Sequence, residues 1–261
     1  MKRSTTTLAF FRRELQASLS SRMLLAVPLI GLVVGFATLL STTQADLPSA
    51  APLFLLQATL YGLPLASILI ATGSAHSESA ESLLLASLPA PRGARILGKF
   101  LALQLCFLMA SAFAIAPAAI MGLPFQTACL LFGYSVGTSA LFISIGLCVG
   151  FFITDGIKSH LASLGAWFLL TIGASLLGYL LATQAQGQTN PTLWSALMML
   201  SPLDALRIGV LFSIESIPFD TADLPSIARW WLAHPGVWFA ILVFGATSLF
   251  LSLSDRASRP R

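Results

Sequence analysis

Long apolar runs, rather than alternating positions, organise this chain. Charge-free stretches of about twenty residues recur, the length a helix needs to cross the hydrocarbon core of a bilayer. They predict six spans, at Met23–Ser41, Pro52–Ala71, Phe100–Met121, Ala128–Ile153, His160–Ala182 and Val237–Ser254. The tract from Phe100 to Thr154 carries no Asp, Glu, Lys or Arg and is too long for one span. Its natural break is "MGLPFQ" around Pro124, because Pro and Gly interrupt helices. A β-barrel would show short alternating segments instead. The fold class is therefore all-α, a polytopic membrane protein. Before the first span, "LAFFRRELQASLSSRMLL" reads as an amphipathic interfacial helix, with Phe10, Phe11 and Leu15 toward lipid and the arginines toward headgroups. The chain divides into a tail and interfacial helix (1–22), a six-helix transmembrane domain (23–254) and a second tail (255–261). The transmembrane domain includes a cytoplasmic segment at 74–99 and a long external loop at 183–236.

Composition supports a lipid environment. Charged residues make up 9% of the chain, against about 25% in a soluble domain. The cations also fix an orientation. Twelve of fourteen fall in the two tails, in the loop with Arg92, Arg95 and Lys99, or in the loop with Lys158. Those parts are expected on the cytoplasmic side, both termini included. The net charge of +4 thus reflects topology, and no nucleic-acid partner is needed to explain it. The first apolar run exceeds the ~7–15 residues of a signal core, so a retained span is expected. Cys106, Cys129 and Cys148 lack CxxC spacing and read as small packing residues.

Candidate chemistry is sparse. Gly93, Gly98 and Lys99 come close to a phosphate-binding loop, but Phe100 stands where a Mg²⁺-binding hydroxyl is required. No acid or base lies at mid-depth in any span, which disfavours an ion-driven carrier. Gln104, Tyr134, Ser135, Thr138, Ser139, Ser144, Thr171 and Ser175 are the main intramembrane polar groups, each expected to bond a helix backbone or neighbour. His76, His160 and His234 are far apart in sequence, and Met198–Met199 fits packing better than copper handling. No metal set and no catalytic triad emerges, so the chain is not expected to be an enzyme. Gly31–Gly35, Gly133–Gly137 and Gly146–Gly150 give G-x-x-x-G spacing, read as close helix packing first and a subunit interface second.

The segment "SESAESLLLASLPAPRGARILGKF", residues 77–100, carries acids, a short apolar helix, a proline break and then bases. It is either a lever that a partner could push or a plain connecting loop. In its acids, apolar helix, "LP", "R" and "GKF" it resembles the coupling segment of ABC-2 type transporter permeases. That resemblance implies type V exporter-like architecture in a bacterial inner membrane, with a second copy of the chain. It also implies a separate ATPase subunit, on which ATP and Mg are bound, with no cofactor on this chain. Glu78, Glu81, Arg92, Arg95 and Lys99 would then lie at the ATPase contact. Within the family, "SHLASLGAWFLLTIGASLLGYLLA" and "LSPLDALRIGVL" are most similar to permeases serving maturation of nitrous oxide reductase, a copper-site assembly role. Many relatives have an acid followed by a Gly-Thr pattern where this chain has Ala80, Glu81 and Ser82, a departure that bears on which ATPase it pairs with.

Trp194, Leu197, Leu200, Leu206, Val210 and Phe212 make the external loop too apolar to be free. They are expected to rest on membrane lipid or dock a periplasmic partner. Asp204 and Arg207, spaced i, i+3, are expected to pair on one helix face of that docking surface. Two alternatives stay open: an exporter permease for lipid, peptide or drug cargo, and a membrane scaffold that transports nothing.

Overall fold

The computed structural model describes residues 2–20, 22–41, 47–80, 92–173 and 226–257, together with 176, 177, 180, 199, 201–204, 206, 207 and 210. These residues form helices and short turns, with no strand among them. The order is α1 (Lys2–Ser20), α2 (Arg22–Ser41), α3 (Leu47–Gln57), a π-helical turn (Ala58–Gly62) and α4 (Leu63–Ala80). Then follow α5 (Arg92–Ile120), α6 (Phe125–Phe152), α7 (Gly156–Phe168) with a second π-helical turn (Leu169–Gly173), α8 (Ser226–Ala233) and α9 (Pro235–Ala257). Four helical stretches are long and apolar enough to cross a membrane: Ala50–Ser77, Gly93–Ile120, Phe125–Phe152 and Pro235–Ala257. Ala26–Ser41 is a shorter apolar helix. The predicted fifth span begins as α7, and its C-terminal part lies partly outside the described residues.

The predicted break near Pro124 is a real turn with a chemical cause. Leu123 N donates to the Ala118 carbonyl at 2.9 Å and Gly122 N to that of Ala119 at 3.4 Å. This double bond pattern closes a helix only if the intervening residue is left-handed, and Gly122 has φ +115°. Pro124 then caps the start of α6, where its missing N–H costs nothing. Asp155 starts α7 by accepting from Ile157 N at 3.0 Å and Lys158 N at 3.2 Å.

Helix α6 is the centre of the bundle, two-thirds buried (67%) against 11% for α9. Small residues allow this crowding. A Cβ on Gly146 would sit 2.5 Å from the Ile68 carbonyl oxygen, and one on Gly150 2.6 Å from the Ala75 Cβ, so α6 lies directly on α4. Gly31 and Gly35 likewise place α2 on the α5 backbone at Ala110, Phe113 and Ala114. Gly137 faces the Phe239 ring of α9, while Gly133 faces open space. Gly31, Gly35, Gly137, Gly146 and Gly150 therefore serve helix contacts within this chain, and Gly133 does not. In a lipid solvent such contacts replace the hydrophobic effect as the source of association.

Helix α1 is packed rather than free. Phe10 is buried, and a Cβ on Gly98 of α5 would come within 2.9 Å of the Phe10 Cβ and Phe11 N. The expectation that Phe10 faces lipid is thereby corrected. Residues 94–103 of α5 present a small, flat surface at Gly98, and α1 lies in it.

Candidate functional site

The α3–α4 rod is held at both ends, and those ends contain most of the chemistry that the sequence singled out. At one end α4 finishes with Ala80 and α5 begins with Arg92, about two turns before Lys99. Segment 81–91, with Glu81, lies outside the described residues, as do the side chains of Glu78 and Arg92. Arg95 is half-buried. Lys99, however, is only 3% exposed. Its Nζ donates to the Ser74 carbonyl of α4 at 2.8 Å and stands 3.6 Å from Oε2 of Glu14 on α1. It does not present a charge on an open surface. It joins three helices.

Two more contacts reinforce this basic end. His76 Nε2 and Ser159 Oγ are 2.6 Å apart, and Thr72 Oγ1 and Ser163 Oγ are 2.7 Å apart, so α4 is stitched to α7 along two turns. Thr72 also donates to the Gly146 carbonyl of α6 at 3.2 Å. The His76 and His160 rings stack at 6.3 Å, although 84 positions separate them in sequence. Sequence spacing could not reveal this meeting, because it depends on α4 and α7 running side by side. No cluster of three or more metal-ligating residues occurs among the described residues.

Toward its other end, eleven residues in from Leu47, the rod is interrupted by the π-helical turn Ala58–Gly62. Such turns displace the normal i→i−4 bonding and recur at functional positions. Here the Tyr61 carbonyl accepts from Trp167 Nε1 of α7 at 3.2 Å. The Tyr61 hydroxyl accepts from Arg207 Nη2 at 2.9 Å, and the Arg207 guanidinium lies 6.0 Å from the ring centre. Arg207 in turn pairs with Asp204 at 3.3 Å, the i, i+3 contact expected of them. Thr59 within the same turn bonds Ser135 of α6 at 3.1 Å. An apolar cavity of about 170 Å³ borders the turn, lined among others by Val27, Val34, Gly62 and Phe107.

One expectation about the loop changes. Leu203, Leu206 and Val210 are buried in the same apolar cluster as Leu60, Leu131 and Phe142. Leu206 and Val210 thus do not face a membrane surface or a partner. Asp204 is also buried, at 5% exposure, and Arg207 is partly exposed. An apolar stripe on a loop helix has the same pattern whether it meets lipid, a partner or its own core, which is why the sequence did not separate them. Trp194, Leu197, Leu200 and Phe212 lie outside the described residues. Beside this region Trp238 Nε1 donates to the Met199 carbonyl at 2.7 Å, anchoring the loop to α9.

Intramembrane polar groups behave as expected. Ser135, Thr138, Ser139, Ser144 and Thr171 each donate to a backbone carbonyl three or four residues earlier. Gln104 donates to the Val136 carbonyl and to Ser139 Oγ, both at 3.0 Å. Ser175 lies outside the described residues.

No family model matches the chain. Two curated relatives match along nearly its whole length. A protein named "Probable ABC transporter permease protein NosY" from Pseudomonas aeruginosa is 29% identical, over 95% of this chain and 97% of its own. A protein of the same name from Stutzerimonas stutzeri is 28% identical, over 92% and 94%. The chain is similar to both proteins along nearly its whole length rather than over one motif. Together with the four long apolar helices this similarity identifies a multi-pass membrane protein similar to transporter permeases.

Proposed function

We propose that this chain is the membrane-spanning permease subunit of an ABC-2 type, ATP-driven transporter in a bacterial inner membrane, with ATP hydrolysed on a separate subunit. The observation that carries the proposal is the end-to-end likeness to two NosY permeases, neither of which matches only a local motif. The basic end lies in the cytoplasm, as the cation distribution requires. There the 78–95 region, with Glu78, Glu81, Arg92 and Arg95, receives the ATPase. Charges on so short a segment select the partner by complementarity. Push on that segment reaches α4 and α5 directly, because it is covalently continuous with both.

A second copy of the chain completes the transmembrane unit. The resemblance to permeases of nitrous oxide reductase maturation extends the proposal to a periplasmic partner at the external loop, around Trp194, Leu197, Leu200 and Phe212. The partner-facing part of that loop excludes Leu206 and Val210, which the core already occupies.

Gentle detergent extraction of the tagged protein from its native membrane, followed by mass spectrometry of everything retained, tests the reading. A stoichiometric ATPase is the expected companion, and a periplasmic protein beside it supports the maturation role. Recovery with no ATPase, in nanodiscs and after crosslinking alike, overturns the transporter assignment. Charge reversal at Glu81 or Arg95 is expected to release the ATPase while leaving insertion intact.

A further inference from the structure

We propose that Lys99 is a positioning residue that locks the interfacial helix α1 to the rod and to α5, so that all three move as one body. The inference rests on the permease reading for its source of motion, but its geometry is independent of it. Lys99 sits at 3% exposure where three helices converge. Its ammonium has the Ser74 carbonyl of α4 at 2.8 Å and the Glu14 carboxylate of α1 at 3.6 Å. Ser74 is three residues before Ser77, where the 77–100 segment begins. Glu14 is one turn beyond Phe10, which is seated on Gly98 beside Lys99 itself. One residue thus has a charged contact to α1, a backbone contact to α4 and its own backbone in α5.

Chemistry explains why a lysine stands here. A flexible stem delivers a compact charge with three donors, which can satisfy a carbonyl and a carboxylate on different helices together. In a poorly hydrated site the charge cannot leave its partners without a large desolvation cost, so the three elements resist separation. A plain anchoring lysine would instead reach the headgroups, with its amine in water. The buried position makes Lys99 a connector of helices. A displacement of the coupling segment is therefore carried into α1 at the membrane surface, as well as along α4 into the bundle.

The test uses the full chain with its co-purified ATPase in nanodiscs, with Cys106, Cys129 and Cys148 replaced by alanine. Spin labels are placed at L249C on α9 as the reference, since α7 is stitched to α4 and would move with it, paired with either L8C on α1 or S77C at the end of α4. Leu8, Ser77 and Leu249 are all exposed, so labels fit without repacking. On ATP-vanadate trapping, both distances are expected to shift in the otherwise wild-type chain. In K99M and in the milder E14Q, the S77C shift is expected to remain and the L8C shift to be lost, with K99R retaining both. A role in stability alone leaves α1 following α4 in every folded variant, and that result overturns the proposal. Absence of a shift at S77C in the otherwise wild-type complex counts against the permease reading instead. The lock is then decided without nucleotide, by labels at L8C and S77C. A broader distance distribution in E14Q than in wild type supports it, and an unchanged one overturns it.

Discussion

The two ends of the α3–α4 rod are fastened by different physics. At the basic end a lysine with 3% exposure holds a carbonyl and a carboxylate. Toward the other end Arg207, with a quarter of its side chain exposed, holds Asp204 and the Tyr61 hydroxyl. A buried charge that loses a partner is stranded, whereas a partly exposed one can exchange its partner for water. The first fastening buries its cation, Lys99 at 4% with Glu14 at 19%, and the second buries its anion, Asp204 at 7% with Arg207 at 25%. The region of Tyr61 also contains the π-helical turn and the cavity that borders it.

The largest expected effect breaks the Lys99 end. Lys99→Met leaves Glu14 without the ammonium; stranding a fully buried charge costs about 3–5 kcal/mol, and Glu14, 19% exposed, regains some water, so a loss of about 2–4 kcal/mol is expected. Thermal unfolding in nanodiscs measures it, with Lys99→Arg recovering most of the loss. Arg207→Gln leaves Asp204, at 5% exposure, without its cation and is expected to cost a comparable amount; a much smaller drop would show that Asp204 finds water once the guanidinium is gone.

Next comes the seam between the ends. Gly146→Leu places a side chain against the Ile68 carbonyl, 2.5 Å from its first carbon, and must push α6 off α4. A loss of about 1–3 kcal/mol is expected for such overpacking. Gly133→Leu, on the same helix and facing open space, is the control and should be close to neutral. Equal effects at the two glycines would show that α6 is not seated on α4 as described.

At the Arg207 end Tyr61→Phe removes the hydroxyl that accepts from Arg207, but it keeps the ring under the guanidinium and the Asp204 pair. A single hydrogen bond is worth about 0.5–1.5 kcal/mol net. The same stability assay should register a loss in that range, well short of the Lys99→Met effect. A loss as large as that of Lys99→Met would show that more than this one hydrogen bond is lost.

Much of the scaffold was legible because its signals are local. The all-helical class follows from run length, and the Gly122–Pro124 break from two residues whose backbone chemistry permits little else. The Asp204–Arg207 pair needs only helix periodicity, and the span hydroxyls turned to the nearest carbonyl, as a lipid solvent dictates. What stayed hidden depends on which helices are neighbours. Glu14 and Lys99 are 85 positions apart, so nothing in the sequence brought Lys99 to α1, and it read as one charge of the cytoplasmic coupling segment. Phe10 read as lipid-facing for the same reason, since only the Gly98 surface shows where α1 lies. Tyr61 carries no motif at all, and its partners Trp167 and Arg207 lie 106 and 146 positions away in sequence. The signal that could have pointed to Lys99 is the glycine before it, which marks a close approach by something.

The smallest effect calibrates the others. Lys158 and Asp155 also form an ion pair, at 3.6 Å, but their side chains are 76% and 46% exposed. Both charges keep most of their water, so the attraction is screened and its net worth small. Lys158→Ala should change stability by no more than about 0.5 kcal/mol, the usual range for a surface substitution. Asp155 retains its separate role of capping α7 through Ile157 N and Lys158 N, which the alanine leaves intact. Lys158 and Lys99 have the same distance to a carboxylate, 3.6 Å, and differ in burial. If Lys158→Ala proves as damaging as Lys99→Met, distance alone sets the strength of these contacts and the contrast between the ends of the rod disappears. If it is near neutral, burial is what makes Lys99 a clamp.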